Sequence, residues 1–330
     1  MELEHLLLAH PSGLRRSEIA RRLAVHRSTV SRYVDELSNL LPVTESDDGI
    51  VGIDRDSYLN NIRLTIHESL ALYLASRLMT DRMDRFNPHS AAALRKLGQS
   101  LRAFAPTIAD HIVTEADRVE SAKTRRDPAY LAVLETHTRG WSEGRLVKVV
   151  HHSVHRNVDD SYLLAVHIIV PYAVGQSVQV IGKCPGEDHL RTLRIDRIVY
   201  AVLTNDTYVP PADEDMTSAL KNAWGIWYSD ADPVEVVLRF SKQVAHRVRE
   251  TVWHASQIME DLADGRLIWR ARIAEPREMF PWIRGWGADV EVLGPPELRE
   301  RMSKEATALV DLYEPSANLS KEVDKTGDRF

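Results

Sequence analysis

The spacing of apolar residues in the first sixty positions predicts three short helices. The first covers residues 2–9 and ends at a break that contains proline and glycine, residues 10–13. Ser17 offers an N-cap to the second, whose apolar positions share one face. The third is predicted over residues 27–40, after a tight turn at 24–26, with apolar residues at i, i+4 and i+7 on its buried side.

A β-hairpin is predicted directly after these helices. Two short apolar runs, residues 42–44 and 50–53, flank an Asp-Asp-Gly turn. Two helices, a tight turn and a hairpin make a winged helix-turn-helix, here predicted over residues 1–60. The run RRSEIARRLAVHRSTVSRYVDEL, residues 15–37, resembles that family. Such turns often carry glycine where this chain has Ala24, and alanine is tolerable there if the turn is slightly relaxed.

Positive charge is concentrated in the same segment. Six arginines lie between Leu14 and Val34, where Glu18 is the single acid. Arginine suits phosphate and the O6/N7 edge of guanine, and hydroxyl groups at a helix N-terminus bind phosphate or bases. The candidate DNA-binding residues are Arg16, Ser17, His26, Arg27, Ser28, Thr29, Ser31 and Arg32. The alternative is a solvated basic face on a helix-turn-helix that binds protein. Arg27 and Arg32 are each either a phosphate clamp or a base reader.

A helical connector is predicted over residues 61–140. Thr65 and Glu68 form a capping box before a helix with leucines at four-residue steps. Asn87-Pro88 ends that helix. Three more helices are predicted over 90–104, 107–119 and 128–139. We interpret their apolar stripes as packing surfaces, within the chain or between two copies. A homodimer is expected, because helix-turn-helix proteins read paired half-sites about 34 Å apart.

Alternation of apolar and polar residues predicts a β-rich domain over residues 141–212. Several short strands with Gly and Asp turns indicate a small, strongly bent sheet or barrel. Arg191, Arg194 and Arg197 are predicted on one strand, where three guanidiniums favour a shared anion such as phosphate. The alternative is that Arg197 pairs with Asp196 or a neighbouring acid, while Arg191 is merely solvated.

This domain resembles the WYL-domain family of bacterial regulators. The resemblance rests on Val170-Pro171-Tyr172, Ile181-Gly182 and the run LRTLRIDRI, residues 190–198. It implies an SH3/Sm-like barrel that senses a nucleic acid, such as single-stranded DNA, or a nucleotide. Val178, Gln179 and Val180 replace the tripeptide that names the family, and His151 stands where an aromatic residue is usual. The candidate ligand-binding residues are His151, Ser153, Tyr172, Arg191, Arg194, Arg197 and Arg270.

The order of elements predicted after an acidic hinge at 213–215 is β-α-β-β-α-β, which indicates a ferredoxin-like domain over residues 230–316. Strands are predicted at 234–240, 252–259, 266–273 and 289–293, and helices at 243–249, 275–285 and 296–312. The segments VEVVLRF, VWHASQ, DGRLIWRARI and WIRGWGADVEVLGP resemble the WCX domain, the extension that follows WYL domains. Arg266, Arg270 and Arg272 share a strand face that binds nucleic acid or pairs with an acidic neighbour. Residues 317–330 are polar and predicted to form a flexible tail.

Other classes of site find little support in the sequence. Five histidines (His137, His151, His152, His155 and His167) lack the spacing of a zinc site, and the single cysteine, Cys184, adds no cluster. We find no P-loop, nucleophile elbow or dinucleotide fingerprint, so we expect no enzyme and no cofactor. No apolar run reaches the roughly 18 residues of a membrane span, and the N-terminus does not read as a signal peptide, so a cytoplasmic location is expected.

Taken together, these patterns predict an α+β multidomain, ligand-responsive transcriptional regulator. The net charge of −6 requires that any contact with DNA come from a local basic patch. Its expected partners are a double-stranded operator, a nucleic-acid or nucleotide effector and a second copy of the chain. The alternative is a nucleic-acid-binding accessory module, in which the basic strands bind and the N-terminal helices only tether.

Overall fold

The computed structural model describes residues 2–54, 62–83, 85–121, 126–154, 156–172, 174–211, 220–229 and 231–313. The chain divides into two compact units, Met1–Arg77 with Ala92–Ala116, and Leu78–Ala91 with Asp117–Phe330. The predicted hinge at 213–215 and the predicted tail lie outside the described residues. Helices and several antiparallel sheets are both present, which confirms a mixed α and β chain.

The N-terminal unit starts with three helices and a small sheet. These elements are α1 (Glu2–Leu8), β1 (Leu14–Arg15), α2 (Arg16–Arg22), α3 (Arg27–Ser38), β2 (Val43–Glu45) and β3 (Ile50–Ile53). Strands β1 and β2 flank β3, and both pairs are antiparallel. Ile19, Val30, Val34 and Val51 are buried in one core, so the predicted apolar faces of α2 and α3 point inward.

Two predicted boundaries in this unit are wrong. Helix α2 begins at Arg16, and its N-cap is Arg15 rather than Ser17. The reason is that Arg15 pairs with Ile50 in the sheet, so the chain passes from strand to helix without a capping side chain. Helix α3 ends at Ser38, and Leu40 lies beyond it with 80% of its surface exposed.

The turn between α2 and α3 is tight, as predicted. Ala24 has a φ of 53°. The Val25 N–H donates to the Ala20 carbonyl at 3.0 Å, and the Ala24 N–H donates to the Arg21 carbonyl at 3.3 Å. These two bonds form a Schellman motif, in which the residue at the Ala24 position is usually glycine.

Four longer helices follow, named α4 (Ile66–Arg82), α5 (Pro88–Leu101), α6 (Pro106–Ser121) and α7 (Pro128–Glu143). The predicted capping box of α4 is confirmed: the Thr65 N–H donates to Glu68 Oε2 at 2.7 Å, and the Glu68 N–H donates to Thr65 Oγ1 at 3.3 Å. Each of the other three helices begins at a proline, which lacks the N–H that a first turn leaves unpaired. Helix α7 begins at residue 128 as predicted but continues to Glu143, whereas α5 and α6 begin at 88 and 106 rather than at 90 and 107. Helix α4 already ends at Arg82, before the predicted break at Asn87-Pro88.

A five-stranded antiparallel sheet follows α7. Its strands are β4 (Arg145–Ser153), β5 (Val158–Tyr172), β6 (Ser177–Lys183), β7 (Leu190–Arg194) and β8 (Ile198–Thr207), in the order β7-β6-β5-β4-β8. The long strand β5 is irregular between Val166 and Ile168, opposite Gly182. A Cβ atom on Gly182 would lie 2.2 Å from the Ala165 carbonyl oxygen, so only glycine fits there. Helix α7 packs against this sheet, with Tyr130 and Val133 in the shared core.

The C-terminal part forms a four-stranded antiparallel sheet with helices on one face. Its elements are β9 (Val234–Phe240), α8 (Ala245–Arg249), β10 (Ile258–Asp261), β11 (Leu267–Ile273), α9 (Phe280–Arg284), β12 (Val290–Gly294) and α10 (Pro296–Tyr313). The strand order is β10-β11-β9-β12. Trp269 and Phe240 are buried beneath a group of half-buried tryptophans.

The predicted strand over 252–259 is wrong for most of its length. Strand β10 begins only at Ile258. The Gln257 carboxamide oxygen accepts the N–H groups of Trp253 at 2.8 Å and His254 at 3.3 Å, and these bonds fold the preceding residues into a loop. The predicted helix over 275–285 is also shorter, since a 3-10 turn at Pro276–Met279 comes before α9.

Candidate functional site

Arg16 joins α2, α3 and the hairpin. Its Nε and Nη2 atoms donate to the two carboxylate oxygens of Glu45 at 3.0 and 2.8 Å, and its Nη1 donates to Ser31 Oγ at 2.8 Å. The Arg16 guanidinium lowers the pKa of the Glu45 carboxyl. Two of the predicted DNA-binding residues, Arg16 and Ser31, therefore hold strand β2 beside α3. Glu45 had no distinguishing signal in the sequence.

The N-terminal end of α3 carries four more of the predicted DNA-binding residues, His26, Arg27, Ser28 and Thr29. His26 is the N-cap, and its Nδ1 accepts the Ser28 N–H at 3.3 Å. Arg27 and Ser28 are exposed, whereas Thr29 is partly buried. Among the described residues, none makes a hydrogen bond or ion pair with the Arg27 guanidinium. The Ser28 hydroxyl also bonds to His26 Nδ1 at 2.8 Å, so the helix start offers the unpaired Arg27 cation to an anion, with an exposed Ser28 hydroxyl that is held by the cap.

Arg32 lies one turn further along the same side of α3. Its guanidinium sits 5.6 Å from the centre of the Tyr33 ring and 3.8 Å from Glu36, and 67% of the side chain is exposed. Ser17 is exposed near the start of α2. The structure thus leaves Ser17, Arg27, Ser28 and Arg32 accessible, and uses Arg16, Ser31 and His26 in contacts within the unit.

The three arginines of the β-rich domain do not form one strand face, which corrects that prediction. Arg191 and Arg194 lie on β7, but Arg197 lies in the 3-10 turn Ile195–Arg197. Arg191 donates two hydrogen bonds of 2.7 Å to the carboxylate of Glu187. Its guanidinium also lies 4.6 Å from the centre of the Tyr162 ring. Arg191 is therefore paired and partly buried, and not merely solvated.

Arg194, and not Arg197, pairs with Asp196. The Arg194 Nε and Nη2 atoms donate to the Asp196 carboxylate at 3.0 and 2.7 Å. Burial opposes ionisation of Asp196, but the Arg194 guanidinium outweighs it and the pKa of the carboxyl is lowered. Arg197 makes no hydrogen bond or ion pair with any residue that the structure describes. Arg191 and Arg194 are each bonded to a carboxylate, and Arg197 is not bonded to one among the described residues.

His151 stands next to this free cation. It lies on β4 opposite Asp160 of β5 and Ile198 of β8. Burial and the nearby charge of Arg197 both lower the pKa of the imidazole, so it is neutral at pH 7. Ser153, also a candidate, ends the same strand and is partly buried. His151 and Arg197 thus form one patch with a neutral imidazole and a guanidinium that lies near Asp196 without a hydrogen bond or ion pair to a described residue.

Tyr172 belongs to a different environment from the other predicted ligand-binding residues. Its hydroxyl bonds to Glu278, and burial together with that carboxylate raises the pKa of Tyr172 to about 12. Glu278 is 2% exposed and accepts the N–H groups of Gly225 at 2.9 Å, Ile226 at 2.8 Å and Trp227 at 3.2 Å. This carboxylate ties the end of β5 to the C-terminal part of the chain, and sequence reasoning missed it.

Arg270 lies on the open face of the C-terminal sheet, opposite Val237 of β9 and Ile258 of β10. It makes no hydrogen bond or ion pair with any described residue. Arg272, on the same face, lies opposite Glu235, and Arg266 pairs with Asp264 at 2.6 Å. Arg266 and Arg272 therefore each have a carboxylate bonded to them or opposite them, whereas the residues opposite Arg270 are apolar.

Within the described ranges, no group of three His, Cys, Asp or Glu side chains is arranged to hold a metal ion. His155, one of the histidines considered above, lies outside those ranges. No helix in the described part of the chain has both the length and the apolar character needed to cross a membrane.

The solved structures that are similar to the chain include the following two. Proteasome accessory factor B/C (PafBC) of Arthrobacter aurescens is 17% identical, with a TM-score of 0.33 over 93% of this chain and 47% of that one. The chain thus spans about half the length of that protein. A CRISPR Cas-related protein is 11% identical, with a TM-score of 0.39 over 78% of this chain and 88% of the other.

No curated protein matches the sequence. A family match covers the C-terminal sheet and most of α10, and it confirms the WCX part of the predicted resemblance. Residues 232–310 match the WCX domain, the extension that follows WYL domains.

Proposed function

We propose that this protein is a ligand-responsive transcriptional regulator. In this account, residues 1–60 form a winged helix-turn-helix that binds duplex DNA. The five-stranded sheet is an SH3/Sm-like WYL barrel that senses a single-stranded nucleic acid or a nucleotide, and the ferredoxin-like WCX domain follows it. The protein acts as a homodimer and has no catalytic role.

The observation that carries the DNA-binding part is the exposed N-terminal side of α3. Arg27 and Ser28 stand at the helix start, where backbone N–H groups and the helix dipole also favour an anion. Arg32 extends that side by one turn. The Arg16–Glu45 contact holds β2 beside the same helix, so the hairpin is positioned to reach the DNA backbone when α3 enters the major groove.

The sensing part is supported by the match to the WCX domain and by the patch around Arg197. A phosphate would bind the free Arg197 guanidinium, with His151 as a neutral hydrogen-bonding neighbour. Arg191 and Arg194 already hold carboxylates, so a ligand that uses them must displace Glu187 or Asp196. For that reason we assign the first ligand contact to Arg197 and not to the two strand arginines.

The DNA-binding part is tested by fluorescence anisotropy with duplex DNA from upstream of the protein's own gene. Arg27→Ala and Arg32→Ala are each expected to weaken binding. A base reader would lose about 1–3 kcal/mol and relax specificity at one base pair, whereas a phosphate clamp would lower the salt slope by about 1 without changing specificity. Arg277→Ala, an exposed arginine of the C-terminal part, is the matched control and is expected to leave binding unchanged.

The sensing part is tested in the same assay by adding short single-stranded oligonucleotides or nucleotides. The ligand is expected to change the duplex affinity of the wild type but not of Arg197→Ala, while Arg277→Ala responds like the wild type. A response that survives Arg197→Ala and disappears in Arg191→Ala/Arg194→Ala would move the site to the strand arginines.

The accessory-module alternative is favoured by the uncompensated Arg270 on the open C-terminal sheet. Under that alternative, Arg270→Ala weakens binding more than Arg27→Ala, and the affinity does not depend on duplex sequence. Under the proposed function the order is reversed, and an unrelated duplex binds more weakly than the operator.

A further inference from the structure

Helix α4 exposes a row of leucines that no described part of the chain covers. Leu70, Leu74 and Leu78 are 38%, 55% and 62% exposed. The side of α4 that is buried carries Ser69 and Tyr73 instead. An amphipathic helix normally turns its leucines inward, whereas within the described residues this helix turns a row of leucines outward. We call this row the leucine face.

The leucine face is symmetric along the helix. His67 precedes Leu70 by three residues, the leucines follow at steps of four, and Asp81 follows Leu78 by three. The spacing 3-4-4-3 places all five residues on one side of the helix. It also reads the same in both directions about Leu74, except that a histidine stands at one end and an aspartate at the other.

We propose that the leucine face is the interface between two copies of this chain, with the two α4 helices antiparallel about Leu74. In that arrangement Leu74 meets its own copy, and Leu70 meets Leu78 of the second copy. Each end then brings the imidazole of His67 to the carboxylate of Asp81 from the second copy. A parallel arrangement would place like residues side by side and would lose this complementarity.

Self-complementarity is the property that a two-fold interface requires, because each residue of the patch must suit its symmetry mate. The palindromic spacing and the opposite polar ends satisfy it, which is why we assign the partner as a second copy. The inference deepens the proposed function, since it names the surface that holds two DNA-binding units together.

Asp81 is already bonded to Arg118 within the chain at 2.6 Å. A carboxylate has about four acceptor sites, and in the antiparallel arrangement the His67 N–H of the second copy would add to the contacts that Asp81 makes within its own chain. The intrachain pair also limits the rotamers of Asp81, which lowers the entropy lost when the second copy binds.

The geometry predicts which pairs of cysteines will cross-link. Antiparallel helices that pack at about 8–10 Å bring the two Leu74 Cα atoms within the roughly 7 Å that a disulfide spans. The two copies of position 70 are eight residues apart along the axis, or about 12 Å, which is too far. Cys184 is the single cysteine of the chain, so Cys184→Ser provides a clean background.

The experiment uses the full-length chain in that background and oxidation with copper phenanthroline. Leu74→Cys is expected to form a disulfide-linked dimer. Leu70→Cys alone is not, but an equimolar mixture of Leu70→Cys and Leu78→Cys chains is. Cross-linking of Leu70→Cys with itself as readily as Leu74→Cys would overturn the antiparallel arrangement. Cross-linking at none of the three positions would overturn the interface.

Sedimentation without cross-linking provides the second readout. Leu74→Glu is expected to weaken dimerisation at least about 100-fold, because the substitution places two like charges at the centre of the interface. Leu309→Glu, at a leucine of α10 with 44% exposure, is the matched control and leaves the dimer intact. Equal sedimentation of wild type and Leu74→Glu contradicts the proposal.

Circular dichroism of both variants reports whether they fold. The two proposals fail in different ways: a stable dimer that does not bind duplex DNA removes the proposed function and keeps the interface. A monomer that binds duplex DNA would remove the proposed interface and keep the proposed function.

Discussion

Ala24 occupies the glycine position of the Schellman motif that ends α2, and replacing it by glycine should stabilise the N-terminal unit. Its φ of 53° is in the left-handed region, where a Cβ atom costs about 1–2 kcal/mol. The extra freedom of glycine in the unfolded chain offsets about 0.4–1 kcal/mol of that gain. The expected net stabilisation from Ala24→Gly is therefore about 0.5–1 kcal/mol.

Hydrogen exchange is the suitable assay for this prediction. All seven tryptophans lie at or after Trp141, so tryptophan fluorescence does not report on the N-terminal unit. A stabilisation of about 0.5–1 kcal/mol slows exchange of the core amides of α2 and α3 about two- to five-fold, provided that they exchange by unfolding of the unit.

The matched control is Ala75→Gly, an exposed position inside α4. There the backbone is helical, and the same substitution is expected to destabilise by about 0.5–1 kcal/mol and to speed exchange. Unchanged or faster exchange in α2 and α3 after Ala24→Gly would refute the reasoning about this turn.

Three further predictions concern buried or paired acids and a buried imidazole. His137 is fully buried, its Nδ1–H donates to the Val133 carbonyl at 2.7 Å, and burial lowers the pKa of the imidazole below its usual 6.5. The unfolded chain therefore binds more protons than the folded chain below about pH 6.5, and the free energy of unfolding falls as the pH is lowered through that value. His137→Leu should reduce this loss of stability, measured by urea titrations followed by fluorescence. Glu278→Gln should destabilise the same unit by about 2–3 kcal/mol, because a carboxamide cannot accept all three backbone N–H groups. The control, Glu275→Gln, changes the more exposed ion pair with Arg277 and should cost far less. Glu45→Gln should raise duplex affinity and steepen the salt slope by about 1, because it removes the charge that neutralises Arg16 while its carboxamide oxygen still accepts one Arg16 N–H and keeps β2 beside α3. Weaker binding by this variant would contradict the prediction.

Local patterns were sufficient for most of the helices and strands. The periodic apolar residues of α2 and α3, and the Thr65–Glu68 capping box, depend on residues three to seven apart, and the structure shows them where they were predicted. The C-terminal strands β9, β11 and β12 followed from simple alternation. The loop before β10 did not, because the Gln257 side chain that folds it competes with an extended pattern that looks like a strand.

Side-chain pairing could not be predicted in the same way. Glu45 lies 29 positions from Arg16, and Glu278 lies more than fifty positions from the amides that it accepts. Such contacts depend on how elements pack, and a single sequence carries no local signal for them. The three arginines near β7 were visible as a cluster, yet their partners Glu187 and Asp196 decided which of them remains available.

The most direct test of the central claim is the affinity of the full-length chain for duplex DNA from upstream of its own gene, measured by anisotropy against an unrelated duplex at several salt concentrations. We expect tighter binding to the upstream duplex and a log–log salt slope that falls by about 1 when a phosphate-binding arginine of α3 is removed. No binding to either duplex at any salt concentration would contradict it.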